Sequence, residues 1–88
     1  MEIALTKEAK KDLIFWEKSG NVNIQKKITK LFEDIIKTPY TGIGNPEQLK
    51  YELYGFWSRR INKEHRLIYK ISKDEKFIKV YSLKGHYL

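Results

Sequence analysis

The sequence predicts an α+β fold: a short N-terminal strand, then an antiparallel helical hairpin packed on an antiparallel β-sheet. Three observations predict it. Apolar residues recur at helical spacing as far as Lys37. From Tyr54 onward the pattern changes to short alternating, aromatic-rich runs separated by polar turns. Between the two regimes lies a stretch rich in proline and glycine, which breaks both patterns. Helices grouped first and strands afterwards is the element order of an α+β domain.

Each element has local signals. Glu2-Ile3-Ala4-Leu5 alternates and reads as a strand. Thr6 offers a helix N-cap, and Glu8 puts negative charge in the first turn, where the helix dipole favours it. Ala9, Leu13 and Trp16 then share a helical face, which Ile14 and Phe15 are expected to widen. Ser19-Gly20 stops this helix, with Gly20 suited to a left-handed position. Asn21 or Asn23 caps a second helix, whose apolar set is Ile24, Ile28, Leu31, Phe32, Ile35 and Ile36. Lys26, Lys27 and Lys30 line its wet side. Pro39 disfavours helical backbone at Thr38, so the helix ends near Lys37. Thr38 to Lys50, carrying Pro39, Gly42, Gly44 and Pro46, is a loop. Tyr54 to Ile61, His65 to Ser72 and Phe77 to Leu83 are strands. Polar turns at Asn62-Lys63-Glu64 and at Ser72 to Lys76 join them into a meander.

Length and composition bound the function. Eighty-eight residues form one domain, 1–88, with no internal boundary, repeat or low-complexity tract. A hydrophobic content of 41%, with 14% aromatics, supports a packed core. The formal charge of +7 on so small a body favours a polyanionic partner. The chain has no cysteine, which rules out disulfides and thiolate metal sites and suits a reducing compartment. It also has no apolar run of signal-peptide or membrane-span length, so a cytoplasmic protein without a membrane partner is expected.

The most informative stretch is Gly55 to Tyr69. Of the eighteen lysines and arginines only three are arginines, and Arg59, Arg60 and Arg66 all fall here. Arginine presents a planar donor fork that matches phosphate oxygens. Two readings stay open at this point: an anion site, or a basic hairpin whose charge protects a sheet edge. If the hairpin register pairs Arg60 with Arg66, both guanidinium groups lie on one face and reach a single phosphate. Arg59 then points to the other face.

Other candidate groups are few. His65 reads either as a partly buried strand histidine or as part of the cationic site. His86 reads either as an inert tail residue or as a proton donor held near cations. Glu47, in the Pro/Gly-rich loop, matters only if that loop folds over the arginine face. Metal-free RNA cleavage needs a base for the 2′-hydroxyl, an acid for the 5′-oxygen and fixed cations for the charge on phosphorus. Glu47, His86 and the Arg60/Arg66 pair can supply these. The carboxylates Glu17, Glu33, Asp34, Asp74 and Glu75 are spread along the chain without the clustering that a two-metal nuclease needs. Tyr51, Tyr54, Phe56, Trp57, Tyr69, Tyr81 and Tyr87, interleaved with cations, can stack on splayed bases. For Phe56, Trp57 and Tyr69 core packing is the simpler reading.

Three runs carry a specific resemblance: Thr38-Pro39-Tyr40 with Gly42-Ile43-Gly44-Asn45-Pro46-Glu47-Gln48-Leu49-Lys50; Leu53-Tyr54-Gly55-Phe56-Trp57-Ser58-Arg59-Arg60-Ile61; and Glu64-His65-Arg66-Leu67-Ile68-Tyr69. Together they resemble the Txe/YoeB family, toxins of type II toxin–antitoxin modules within the RelE superfamily of ribosome-dependent mRNA interferases. The resemblance spans essentially the whole chain. It implies a RelE-like, microbial-RNase-like α+β fold and cleavage of mRNA in the ribosomal A site, which arrests translation. By position it implies Glu47 as general base, His86 as general acid, Arg60 and Arg66 as phosphate and transition-state ligands, and Tyr87 as substrate orienter. Lys50, Arg59 and His65 match positions that contact RNA or the ribosome or support the site. No metal or other cofactor is implied. The implied partners are mRNA, the ribosome and an inhibiting cognate antitoxin, and a toxin homodimer within a larger complex is compatible. Related chains end on the tyrosine of the His-Tyr pair, whereas Leu88 follows Tyr87 here and Leu83-Lys84-Gly85 also differs. A reading from another class is a non-catalytic basic module that blocks translation by occupying RNA or the ribosome.

Overall fold

Thr6 opens the first helix: its side-chain oxygen accepts from the Ala9 N–H at 3.1 Å, as an N-cap should. Helix α1 runs Lys7–Ser19 and closes at Gly20, whose φ of 73° is left-handed. Asn21 caps the next helix by accepting from Ile24 N–H at 3.1 Å, and α2 runs Val22–Lys37. The computed structural model describes residues 1–85 of the chain; His86, Tyr87 and Leu88 lie outside the described residues.

Five strands follow or precede these helices: β1 (Glu2–Leu5), β2 (Glu47–Gln48), β3 (Trp57–Arg60), β4 (Arg66–Ile71) and β5 (Phe77–Ser82). A short 3₁₀ turn, Tyr51–Leu53, sits between β2 and β3. They form one sheet in the order β1-β5-β4-β3-β2. Every neighbouring pair is antiparallel except β1 and β5, which are parallel. The expected antiparallel sheet is present as β2 to β5, and β1 joins its edge in parallel. A parallel pair needs a crossover, and the helical hairpin between β1 and the meander provides it.

Both helices cover one face of the sheet. Ile24, Ile28, Leu31 and Ile35 from α2, with Ala9 and Trp16 from α1, pack on Leu67, Tyr69, Ile78 and Val80. Each fully buried apolar side chain of this size contributes about 1.5–3 kcal/mol. The expected wide face of α1 is narrower than the spacing suggested. Ile14 and Phe15 are 50% and 46% exposed, because one helix face meets the sheet and theirs turns away. Ile36 of α2 is exposed for the same reason, whereas Phe32 packs against the core edge. No helix among the described residues is long and apolar enough to cross a membrane.

The loop between α2 and the sheet is wound around one buried cation. Arg59 lies on the helix side of β3 with none of its surface exposed. Its guanidinium donates to Asp34 Oδ2 at 2.6 Å and to the carbonyls of Thr38, Thr41 and Ile43, while Nε donates to Tyr69 Oη at 3.1 Å. Tyr69 Oη in turn donates to Pro39 O at 2.6 Å, so four carbonyls of the loop are tied to one centre. The two loop glycines are needed here. A Cβ on Gly42 (φ 120°) would lie 1.9 Å from Asp34 Oδ2, and one on Gly44 (φ 79°) 2.8 Å from Leu31 Cδ2.

Candidate active site

Strand register decides which side chains share the helix-free face. Arg60 and Arg66 are direct cross-strand partners on β3 and β4, so the expected pairing on one face holds. Their Cβ atoms are roughly 4.5–5.5 Å apart by the geometry of such pairs. Glu47 of β2 is the partner of Ser58, and Ser58 the partner of Ile68. Since Ser58 and Arg60 are two residues apart, Glu47 lies on the same face, about 7 Å along the strand from the arginine rung. The loop thus does fold over the arginine face. It does so by ending in a two-residue strand that sequence periodicity is too short to reveal. Arg60 N–H donates to Gly44 O at 2.6 Å, which fixes the loop at the next rung.

Arg60 and Glu47 are exposed and Arg66 is half-buried, with its Nη1 donating to Asn62 O at 3.1 Å. Around the arginine rung opens a shallow cleft of about 450 Å³ lined by Lys27, Arg60, Ile61, Asn62, Lys63 and Arg66. Lys27 reaches it from α2. In the sequence it is indistinguishable from the other lysines on that helix, and only the packing angle brings it here. A cleft surrounded by cations suits an anionic ligand.

Arg59 takes the opposite face from Arg60, as strand alternation predicts. It is expected to contact RNA or the ribosome, or to support the site. The structure buries it on the opposite face and satisfies every N–H donor with protein acceptors, so it supports the fold and offers nothing to a ligand. Its partner Asp34 is the acid that sequence reading passed over as one more helix carboxylate. The Arg59 guanidinium beside Asp34, with the Ile43 N–H, holds that carboxyl below the usual carboxylate range. Burial pushes the Tyr69 phenol above its ordinary value.

His65 serves the tail. Its ring stands edge-on to Trp16, centroids 4.8 Å apart, and Nδ1 accepts from the Gly85 N–H at 2.9 Å. Arg66 N–H donates to Gly85 O at 3.0 Å. Just upstream, Leu83 is clasped at both backbone groups: its N–H donates to Asp12 Oδ2 at 3.0 Å, and its carbonyl accepts from Trp16 Nε1 at 2.9 Å. The chain therefore reaches residue 85 held against Arg66 by α1 and His65. The buried Asp12 clasp has no signature in the sequence, because its partner is a backbone amide 71 positions away. The expectations for His86 and Tyr87 lie outside the described residues.

Lys50 is exposed and its carbonyl accepts from Leu53 N–H in the 3₁₀ turn. Of the aromatics, Tyr69 and Trp57 face the helices, as core packing requires, with Trp57 only half-buried beside Tyr40. Phe56 departs from that expectation. It precedes β3 on the helix-free face and meets Tyr81 edge-on, centroids 4.9 Å apart. Among the described residues no three His, Asp or Glu side chains converge as metal ligands.

The comparisons with known proteins agree with this architecture. The family described as YoeB-like toxin of bacterial type II toxin-antitoxin system matches residues 5–87. Toxin YoeB of Escherichia coli K12 is 42% identical over 78 residues, covering 89% of this chain and 92% of that protein. Among solved structures, the YoeB/ParE toxin from Agrobacterium tumefaciens superposes with a TM-score of 0.93 at 34% identity, covering 99% of this chain and 100% of that one. The YoeB–YefM complex from Staphylococcus aureus gives a TM-score of 0.85 at 40% identity, covering 97% and 95%. The chain belongs to the YoeB-like toxins of bacterial type II toxin–antitoxin systems.

Proposed function

We propose that this toxin is an endoribonuclease that cleaves mRNA in the ribosomal A site by metal-free acid–base catalysis. The observation that carries the reading is the register that gathers Glu47, Arg60 and Arg66 on the helix-free face of the sheet. Glu47 takes the proton of the 2′-hydroxyl, whose oxygen attacks phosphorus. Arg60 and Arg66 hold the non-bridging oxygens and the charge that builds on them. His86 protonates the departing 5′-oxygen, and Tyr87 orients the substrate. The bond from phosphorus to O5′ breaks, leaving a 2′,3′-cyclic phosphate and a 5′-hydroxyl. Lys50 contributes to RNA or ribosome contact, and His65 supports the tail from which the acid acts. No step requires a cofactor.

A cognate antitoxin is the expected inhibitor. The solved YoeB–YefM complex and the YoeB dimer, both from Staphylococcus aureus, support an antitoxin partner and a toxin homodimer for this chain as well. Mapping mRNA 5′ ends after brief induction tests the activity. Codon-phased breaks are expected with the wild-type chain and are absent with Glu47→Ala or Arg66→Ala. Arrest of translation with intact mRNA would instead identify a module that blocks by occlusion.

A further inference from the structure

We infer that the helix-free face carries a second, sequence-tolerant subsite for single-stranded RNA, built on Phe56, Tyr81, Lys70 and Lys79. The inference rests on the proposed phosphodiester site, because it asks where the RNA goes beyond it.

The rungs of this face form a column. Arg60 and Arg66 make the first, Glu47 and Ser58 the second, and Phe56, Lys70 and Lys79 the third. A strand of RNA that lays its scissile phosphate on the first two rungs and continues along the column next meets the third. There the side chains are already arranged. Lys70 Nζ stands 5.0 Å from the Phe56 ring centroid, and Lys79 Nζ stands 5.4 Å from that of Tyr81. The two rings brace each other edge-on. A bulge makes this arrangement. Ile68 pairs with Ser82 while Tyr69 pairs with Val80, so Tyr81 is the extra residue of β5 and its ring is re-aimed beside Phe56.

Beside this ladder lies a groove of about 480 Å³, lined by Ala4, Lys70, Lys73, Phe77, Lys79 and Tyr81 among others. It shares no residue with the arginine cleft. Its size is that of a small-molecule site, and its walls alternate apolar surface with three ammonium groups. Apolar and aromatic walls suit a base, while ammonium groups suit the phosphates on either side of it. The nearby acids are Glu2, on the neighbouring strand across from Phe77, and Asp74 and Glu75 in the adjoining turn, where Asp74 is engaged by Ser72 Oγ and the Lys76 N–H; Lys70, Lys73, Lys76 and Lys79 outnumber them. The local balance is positive, which favours RNA over an apolar protein segment.

The test uses the full chain carrying Glu47→Gln, so that RNA is bound without turnover, and a fluorescently labelled single-stranded RNA read by anisotropy across a salt series. Lys70→Ala with Lys79→Ala is expected to weaken binding and to reduce the slope of log K against log salt by about 1.4, since each phosphate contact to a single strand contributes about 0.7. Tyr81→Ala is expected to weaken binding about tenfold, while Tyr81→Phe, which keeps the ring, leaves it unchanged. An unchanged affinity and slope in the double-lysine variant overturns the proposal. So does a variant that binds RNA normally but loses an acidic peptide, which makes the groove a protein interface. Arg60→Ala and Arg66→Ala keep the two readings apart. If they leave binding intact in this background, and cleavage intact in the chain that retains Glu47, while the lysine variant changes the slope, the phosphodiester assignment fails and the groove stands.

Discussion

All five N–H donors of Arg59 meet protein acceptors, and those acceptors include three loop carbonyls. Replacing Arg59 with methionine removes the donors together, leaving the three carbonyls without a donor and Asp34 Oδ2 with only the Ile43 N–H. The cost expected from breaking such a buried pair is about 3–5 kcal/mol, read as a fall in the urea midpoint. The same substitution at Arg60, which is exposed, should leave the midpoint nearly unchanged. Asp34 adds a pH signature. Its carboxyl is lowered mainly by the Arg59 hydrogen bond, so it binds a proton less readily folded than unfolded. That contribution is present at neutral pH and is lost as the pH falls through the lowered folded pKa. Melting temperatures of the wild type and Asp34→Asn should differ most near pH 7 and converge below about pH 4. The opposite faces of Arg59 and Arg60 were legible from strand alternation alone. What alternation could not say is which face the helices cover, and that choice separates a structural cation from a candidate catalytic one.

At the scale of elements, local chemistry was readable and long-range pairing was not. The caps at Thr6 and Asn21, the stop at Gly20 and the end of α2 before Pro39 all stand where the sequence puts them. The parallel pairing of β1 with β5 joins segments more than seventy residues apart, and no local pattern encodes it. Likewise β2 is two residues long, below any periodic signal, yet it fixes Glu47 opposite Ser58. The Pro/Gly-rich loop that leads to it is shaped by Gly44. Gly44→Ala adds a Cβ 2.8 Å from Leu31 Cδ2 and 3.1 Å from the Arg60 carbonyl at a φ of 79°, so a loss of about 1–3 kcal/mol is expected in thermal or urea unfolding. Gly20→Ala is the control: its φ of 73° is similar but its Cβ meets nothing within 4 Å, so only the backbone cost of about 1 kcal/mol remains.

At the scale of the molecule, the sheet divides labour between its two faces. One face packs the helices and the Arg59 hub; the other is free of helices and carries Glu47, Arg60, Arg66 and the lysine–aromatic ladder. The formal charge of +7 is thereby given a direction. The sequence alone supplied the residues of the second face, but their meeting depends on a register, a bulge and a two-residue strand. The tail is similar: Gly85 is pinned between His65 and Arg66 through backbone groups that no side-chain pattern announces. On the proposed function, the helix-free face performs phosphodiester cleavage while the opposite face carries the fold. Single-turnover cleavage of ribosome-bound mRNA by purified Glu47→Ala and Arg66→Ala, each first shown to melt as the wild type does, tests it most directly. A loss of at least about a hundredfold in the cleavage rate is expected for Glu47→Ala, the scale of one lost acid–base group, and a comparable loss for Arg66→Ala. Cleavage at the wild-type rate by either folded variant would contradict it.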